Sequence, residues 1–334
     1  MGYGVKCMRL MRFSILFLLL LAVAGSVLSG CGFRSRAVSG GDRTGSAMGS
    51  STEEDVGYVS GIPMDKNAAV IIDNVADIYT KPDVKSNRIT QALYNQPVSI
   101  LQKEQGWAEV SAVDGSTGWI KQKYLDSDVS SIYGRTYKYR IIITSREKVI
   151  TSNPSGGITQ MSAPMGSEFY SFNSSGDSDE VFLPGNKTGW LSRSGTIHVE
   201  LNEMIPVTNA DDFAATALRL KGSSYLLNGL GTMGIDAPGL VYVCAHINGV
   251  DLPRSLAGQL ASGTEIKPEE TKAGDLVFLA GVGEGETGKV TSVGICTGDG
   301  TYLYAGRTIG YVAIGDIKKD NSEGTIIAAR RIFN

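Results

Sequence analysis

Histidine and cysteine are scarce in this sequence, which limits the metal sites and catalytic groups that it can form. The 334 residues include two histidines, His198 and His246, and four cysteines. Two histidines without a cluster of cysteines or carboxylates do not make a zinc site. We therefore expect no bound metal, and we expect no cofactor either.

Basic charge is not in excess. The chain has 31 Lys and Arg residues against 34 Asp and Glu residues, which gives a formal net charge of −3 at pH 7. Proteins that bind nucleic acid through its phosphates present clusters of basic side chains. A mildly acidic exterior therefore argues against nucleic acid as a partner.

The first thirty residues have the pattern of an export signal. Three basic residues precede the apolar run "FSILFLLLLAVAGSV", Phe13–Val27, which is short for a membrane span. The "LSGC" that ends at Cys31 resembles the lipobox of bacterial lipoproteins. This implies a signal peptide at 1–30 and a lipid on Cys31 that anchors an exported protein to a membrane of the cell envelope. The alternative is an uncleaved anchor with an incidental cysteine.

Residues 31–64 are rich in Gly, Ser and charged side chains and have no hydrophobic period, so they are predicted to form a flexible tether. The two cysteines that follow the tether, Cys244 and Cys296, have apolar neighbours. We expect them to be buried thiols rather than a disulfide.

Residues 65–127 show short strands and turns, such as "PVSILQ", "WAEVSAV" and "DGSTGWI", which predict a small barrel. The stretches "VADIYTKPDVKSNRITQAL", "GWAEV" and "TGWIKQKYL" resemble a bacterial SH3 domain. The "TGWI" of Thr117–Ile120 recurs as "TGWL" at Thr188–Leu191. Residues 134–200 are therefore predicted to form a second, more divergent SH3-like barrel.

The pattern changes in residues 207–334. The segment Asp211–Lys221 has helical spacing with Asn209 as its N-cap, and a second helix ends at Gly249. Five strands follow. The predicted fold class is α+β, with two small SH3-like β-barrels followed by an α+β domain.

The last domain resembles the NlpC/P60 cell-wall peptidases through "GSSYLLNGLGTMGIDAPGLVYVCAHINGVDLPRSLAGQ", "KAGDLVFL" and "SVGICTGDGTYLYAG". The resemblance implies a papain-like fold. In that family a cysteine at a helix N-terminus is the nucleophile, a histidine is the base, and a third polar residue orients the histidine. Two SH3-like domains before such a domain resemble the γ-D-glutamyl-diamino-acid endopeptidases, which cleave wall peptides.

All three catalytic positions carry other residues here. The family's DCSG is Asp236–Gly239, so Ala237 takes the place of the nucleophile, and Ser292 and Tyr304 take those of the two histidines. A methyl group cannot attack a carbonyl, and a serine hydroxyl does not accept a proton at neutral pH. No catalytic residue is therefore assigned. We expect these three degenerate positions to surround one shallow pocket.

No other residue is well placed to take over the chemistry. His246 lies nine residues beyond Ala237 on the same predicted helix, roughly 13 Å along its axis. His198 belongs to the region of the second barrel and has no cysteine or serine motif near it. Cys296 is the one thiol that deserves a test, because it follows the base position on the same strand.

Some recognition residues persist. Tyr225 and Asp236 match family residues that hold the free amino end of a wall peptide, although they also suit a role in holding the fold. The family's WGG has become Leu227–Gly229, and Leu256 replaces a small polar residue. The favoured function is a lipid-anchored envelope protein that binds a peptidoglycan stem peptide or a partner protein. The alternatives are an active wall endopeptidase and a structural lipoprotein that positions other hydrolases.

Overall fold

The computed structural model describes residues 57–201, 203–231, 233–281 and 288–333. The predicted signal peptide, Cys31 and most of the tether lie outside the described residues. Within the described ranges, no helix combines the length and the apolar character needed to cross a membrane.

The first large sheet contains seven antiparallel strands, preceded by a hairpin of β1 (Tyr58–Val59) and β2 (Ile62–Pro63). Its strands are β3 (Ala68–Ile71), β4 (Val75–Tyr79), β5 (Arg88–Leu93), β6 (Pro97–Glu104), β7 (Trp107–Ala112), β8 (Thr117–Lys121) and β9 (Leu125–Asp126). They are ordered β5-β4-β8-β7-β6-β3-β9. The inward-facing side chains, Ile78, Val98, Val110 and Ile120 among them, form a separate core.

The second large sheet repeats this order strand by strand. Its strands are β10 (Tyr139–Ile143), β11 (Glu147–Asn153), β12 (Gly156–Pro164), β13 (Glu168–Ser175), β14 (Ser178–Leu183), β15 (Lys187–Ser192) and β16 (Thr196–Glu200). They are ordered β12-β11-β15-β14-β13-β10-β16. The repeated Thr-Gly-Trp motif therefore lies in equivalent strands, β8 and β15.

The glycine of that motif has a steric reason in both sheets. A Cβ at Gly118 would lie 2.6 Å from the carbonyl oxygen of Tyr79, and a Cβ at Gly189 would lie 2.4 Å from Cγ2 of Ile150. Non-bonded atoms do not approach so closely. Glycine is therefore needed where β8 meets β4 and where β15 meets β11.

The third part of the chain places helices on one face of an antiparallel sheet. Its helices are α1 (Ala210–Leu218), α2 (Ala237–Ile247) and α3 (Leu256–Leu260). Its strands are β17 (Leu230–Gly231), β18 (Gly234–Ile235), β19 (Thr264–Ile266), β20 (Leu276–Ala280), β21 (Val290–Gly298), β22 (Thr301–Gly306), β23 (Tyr311–Asp316) and β24 (Thr325–Arg331). The sheet runs β19-β24-β20-β21-β22-β23. The predicted α+β class is confirmed.

Side-chain caps fix where the two longer helices begin. The side chain of Asn209 accepts a 2.9 Å hydrogen bond from the backbone N–H of Asp212, as its predicted N-cap role requires. Helix α1 ends at Leu218 and not at Lys221, which lies in a turn. Helix α2 ends at Ile247, and Gly249 follows with a φ of +73°.

One apolar core joins the three parts of the described chain. Helix α2 contributes Leu240, Val241 and Cys244 to it, and they pack with Val293 and Ile295 of β21. Leu93 of the first sheet and Ile142 of the second belong to the same cluster. Both barrels are therefore packed directly against the helical side of the third domain. Cys244 and Cys296 are buried free thiols, as predicted.

Candidate functional site

A cavity of about 980 Å³ lies at the N-terminal end of α2, and we call it the α2 cavity. Several residues singled out in the sequence line it, among them Tyr225, Asp236, Ala237 and Ser292. They come from the segment before β17, from the start of α2 and from β21. The fold thus brings together residues that are up to 67 positions apart in the chain.

Asp236 holds the start of α2 through three contacts. One carboxylate oxygen accepts the N–H of Gly239 at 2.8 Å and lies 2.8 Å from Nη2 of Arg254. The other accepts the N–H of Asn228 at 2.9 Å. Burial raises the pKa of Asp236, and the Arg254 guanidinium and the two backbone N–H groups oppose that rise. Asp236 is therefore a helix cap and a buried ion-pair partner as well as a cavity residue.

Gly239 has no room for a side chain at this helix start. A Cβ there would lie 2.4 Å from the carbonyl oxygen of Gly229 and 2.7 Å from the Asp236 carboxylate. The glycine lets the first turn of α2 press against the loop that carries Asn228. Pro238 occupies the second helical position, where its missing N–H costs no hydrogen bond.

Ala237 and Ser292 are 4% and 6% exposed at the wall of the α2 cavity. The helix N-terminus is a favourable place for a thiolate or another anion, since free N–H groups point outward there. Ala237 offers only a methyl group. Among the described residues that line the cavity, there is no cysteine and no histidine.

Tyr304 is not among the residues that line the cavity, but its hydroxyl lies close to Ser322 and Glu323, which do line it. The Tyr304 side chain packs with Val277, Leu279 and Cys296, whereas the next residue on β22, Ala305, lines the cavity and joins the α2 side of the core. Side chains alternate along a strand, so Tyr304 lies on the sheet face of Leu279 and Cys296, which is also the face of Ser292. Ala237 and Ser292 line one cavity, and for Tyr304, which lies next to two residues of its wall, the expectation of a shared pocket stays a prediction.

Neither histidine is near the α2 cavity. Nε2 of His246 lies 2.7 Å from the Glu168 carboxylate at the other end of α2. Nε2 of His198 lies 2.8 Å from the Asp179 carboxylate in the second sheet. Both rings are paired with carboxylates outside the cavity and are too far away to act as its base.

The described thiols are inert as well. Cys296 is 1% exposed, and burial raises its pKa to about 12. Burial also raises the pKa of Cys244 to about 12. Both stay protonated at neutral pH, and a thiol reacts as a nucleophile only when it is deprotonated. Cys296 therefore does not replace the missing nucleophile.

The first barrel forms one wall of the α2 cavity, which sequence reasoning missed. Asp114 and Ser116, in the turn between β7 and β8, line the cavity together with Ile89. Asp114 accepts hydrogen bonds from the Thr90 hydroxyl at 2.6 Å and from the Ser116 N–H at 2.9 Å. The sequence predicts a turn at "DGST", but a turn signal does not tell which neighbouring domain the turn will face.

Arg254 was also overlooked as a site residue. It is 8% exposed, donates to the carbonyl oxygen of Gly229 at 3.3 Å, and lies against Asp236. Buried charges in proteins are paired. A buried Asp236 therefore indicates that a basic side chain lies beside it.

Comparisons with known proteins agree with the sequence resemblances. Residues 74–126 match the bacterial SH3 domain, and residues 222–331 match the NlpC/P60 family. Over 265 residues the chain is 26% identical to the gamma-D-glutamyl-L-lysine dipeptidyl-peptidase of Bacillus subtilis, covering 73% of this chain and 81% of that protein. Over 224 residues it is 25% identical to dipeptidyl-peptidase 6 of Lysinibacillus sphaericus, covering 64% and 82%.

A solved structure has the same fold. The crystal structure of an NlpC/P60 family protein from Bacillus cereus superimposes with a TM-score of 0.70 at 21% sequence identity. The superposition covers 80% of this chain and 100% of that one.

Proposed function

We propose that this chain, which carries a bacterial SH3 domain followed by an NlpC/P60 domain, binds a peptide of the bacterial cell wall without hydrolysing it. The observation that carries the proposal is Ala237. Its methyl group stands at the N-terminus of α2, beside a cavity of about 980 Å³ whose described wall contains no thiol and no imidazole.

Hydrolysis of an amide needs a nucleophile, a base and an acid for the leaving amine. A positioned general acid or base typically contributes about a hundredfold to ten-thousandfold in rate. Among the described residues of the cavity wall there is no imidazole to activate the hydroxyl of Ser292, and the buried carboxylate of Asp236 is already held by Arg254 and two backbone N–H groups. The described wall therefore lacks the thiol and the imidazole that the family uses, and Cys296, His198 and His246 do not replace them.

Binding needs only shape and a few polar groups, and these remain. Pockets that hold small ligands are typically about 300–1,000 Å³ in volume with a few well-placed polar groups. Tyr225 lines the α2 cavity, and burial raises the pKa of its hydroxyl, which therefore stays a hydrogen-bond donor at neutral pH. Asp236 and the Asp114 turn add acceptors that suit the amino end of a peptide.

The ligand class follows from the relatives. Because they include a gamma-D-glutamyl-L-lysine dipeptidyl-peptidase, we assign to this cavity a stem peptide that contains a γ-D-glutamyl bond. The same cavity also suits an extended segment of a partner protein of the envelope. A peptide ligand places the protein at the cell wall, in agreement with the exported, lipid-anchored form implied by the sequence around Cys31.

The anchor is tested separately from the binding. Replacement of Cys31 by alanine should release the protein from the membrane fraction or leave its precursor uncleaved. A Cys31→Ala protein that is processed and still fractionates with membranes would remove the lipid from the proposal.

Calorimetric titration of the purified protein with L-Ala-γ-D-Glu-L-Lys tests the binding. We expect saturable binding that Tyr225→Phe weakens by about two- to tenfold, the usual worth of one neutral hydrogen bond. Tyr139→Phe in the second barrel is the matched control and should bind like the parent. Absence of binding, or equal weakening by both variants, would contradict the proposal.

A further inference from the structure

The described wall of the α2 cavity carries charges that are not all neutralised within the wall. Its charged side chains are Asp114, Asp236, Arg254, Arg307 and Glu323. Nη2 of Arg254 lies 2.8 Å from the Asp236 carboxylate, so these two charges offset each other. The described hydrogen bonds of Asp114 come from neutral groups. One cation, Arg307, and two anions, Asp114 and Glu323, therefore remain for a ligand.

Arg307 and Glu323 belong to the same part of the wall and are connected by one turn. The turn between β22 and β23 begins at Arg307 and ends at Gly310. The carbonyl oxygen of Gly310 accepts the N–H of Tyr225 at 2.8 Å, and the N–H of Thr308 donates to Oε1 of Glu323 at 2.7 Å. The turn therefore links Tyr225 to Glu323 and fixes the backbone from which the Arg307 side chain extends.

Both charges are available to a ligand. The exposed side chain of Arg307 forms no ion pair and no hydrogen bond with the described residues. In the described part of the chain Oε2 of Glu323 has no partner either, since the Thr308 N–H contacts Oε1. Burial and the Asp236 carboxylate raise the pKa of Tyr225, Arg307 opposes that rise, and Glu323 adds to it. Both charges therefore act on the hydroxyl of Tyr225.

A stem peptide with its amino end at Tyr225 brings a carboxylate towards Arg307. The D-glutamyl residue is the next one along the peptide, and consecutive Cα atoms are about 3.8 Å apart. In a γ-linked peptide the α-carboxylate of D-glutamate is not used by the backbone and stays free. A guanidinium group binds such a carboxylate through two parallel hydrogen bonds.

The third residue of the peptide supplies a charge of opposite sign. In L-Ala-γ-D-Glu-L-Lys the lysine ammonium follows the D-glutamyl carboxylate, and its flexible four-carbon stem lets it reach a carboxylate beside the turn. The peptide is thus positive at its amino end, negative at D-glutamate and positive at lysine. The wall offers the complementary charges in Asp114, Arg307 and Glu323.

We propose that Arg307 and Glu323 select the wall peptide that the α2 cavity binds. Arg307 binds the free α-carboxylate of the D-glutamyl residue, and Glu323 binds the ammonium group of the third residue. The inference rests on the proposed function and deepens it, because it names two charges that the peptide has to carry. Peptides with an amidated D-glutamate or an uncharged third residue are disfavoured.

Three matched probes test the selection, all with an amidated C-terminus. They are L-Ala-γ-D-Glu-L-Lys, the same peptide with the D-glutamyl α-carboxylate amidated, and L-Ala-γ-D-Glu-L-norleucine. Each is titrated calorimetrically into the purified protein at low salt, where exposed charges are least screened. We expect the first probe to bind about two- to fivefold more tightly than either of the others, the usual worth of an exposed ion pair.

Two variants remove the charges one at a time. Arg307→Gln should lose the preference for the free carboxylate and keep the preference for lysine over norleucine. Glu323→Gln should show the reverse, and its amide oxygen still accepts the Thr308 N–H that holds the turn. The matched controls are Arg146→Gln and Glu147→Gln, which are exposed, lie outside the cavity wall and should keep both preferences.

The outcomes separate this inference from the proposed function. Absence of binding of all three probes to the parent protein would overturn both. Equal binding of the three probes by the parent, or a variant that loses both preferences or neither, would overturn the selection by Arg307 and Glu323 and leave peptide binding intact. If one variant does not fold, as judged by near-ultraviolet circular dichroism, the other variant and its control decide the question.

Discussion

Ala237 and Ser292 differ from a catalytic pair by only a few atoms, yet those atoms carry the chemistry. The backbone around Ala237 is what a helix-terminal nucleophile requires, with Asp236 as the N-cap and Gly239 packed against the Gly229 carbonyl. Nothing in that backbone depends on a thiol. The backbone at the start of α2 is therefore held by interactions that do not involve the side chain at position 237.

The substitution Ala237→Cys should not create a peptidase. A thiol at the start of α2 would gain from the helix dipole, typically about 0.3–2 kcal/mol, but Ser292 would neither take its proton nor protonate the leaving amine. Cleavage of L-Ala-γ-D-Glu-L-Lys, followed by liquid chromatography, should stay at background. The double variant Ala237→Cys/Ser292→His is the comparison. Robust turnover by Ala237→Cys alone would show that another side chain of the cavity already serves as the base.

The sequence sufficed to predict Ala237 and Ser292 at one cavity but not the position of Tyr304. The first two positions are set by a capped helix start and by a strand beside it, which their motifs specify. The motif match does not reveal that the ring of Tyr304 packs with Leu279 and Cys296, because that packing depends on the size and the apolar character of this one side chain.

At the scale of elements, local sequence signals predict the structure wherever a cap, a turn or a steric constraint acts. Asn209 starts α1, and the glycines of the two Thr-Gly-Trp motifs occupy equivalent crossings in two sheets with the same strand order. The end of α1 at Leu218, three residues before the predicted end, has no such signal. Residues 219–221 have helical composition, but Leu220 turns into the core and the chain leaves the helix.

One buried carboxylate, on β14, links β13, the turn after β15, and β16. Asp179 accepts two hydrogen bonds from Arg193, at 2.9 and 3.0 Å, and one each from Ser174 and His198. Burial by itself would raise the pKa of Asp179, but the hydrogen bonds from Arg193, Ser174 and His198 hold it below the usual range of an aspartate.

A lowered carboxyl pKa stabilises the fold above the pKa of the unfolded chain, about 3.9, and this stabilisation is lost as the pH falls through the folded value. Asp179→Asn should therefore lower the free energy of unfolding by about 1.5–3 kcal/mol at pH 7 and by much less at pH 3. Urea denaturation at both values measures the difference. A loss of equal size at pH 3 and pH 7 would contradict this role of the ionised carboxylate.

At the scale of the whole molecule, the first barrel is attached to the loop before α2. Asn228 donates through Nδ2 to the carbonyl oxygen of Arg88 at 2.7 Å, and Arg88 donates to the carbonyl oxygen of Leu227 at 3.0 Å. The N–H of Leu230 donates to the side chain of Gln91 at 2.9 Å. The sequence predicts the domains but not these contacts. Complementarity between two folded surfaces leaves no local pattern in the sequence of either domain.

Asn228→Gly tests this attachment. The residue has a φ of +57°, which glycine adopts freely, so the substitution removes the bond to Arg88 without backbone strain. The free energy of unfolding should fall by about 0.5–1.5 kcal/mol, and binding of the wall peptide should weaken because Leu227 and Asn228 line the α2 cavity. Asp299 is exposed and has a φ of +52°, so Asp299→Gly is the control for the effect of introducing a glycine. Equal effects of both variants on peptide binding would argue against the attachment.

The central claim is that the α2 cavity binds a wall peptide and does not cut it, and one measurement addresses both halves. Purified muropeptides are incubated with the protein and separated into bound and free fractions. The masses in each fraction are determined by mass spectrometry. An active NlpC/P60 peptidase is the positive control. The account predicts that peptides with a γ-D-glutamyl bond are enriched in the bound fraction at unchanged mass. New fragments produced by cleavage of that bond, absent when the protein is heat-inactivated, would contradict it.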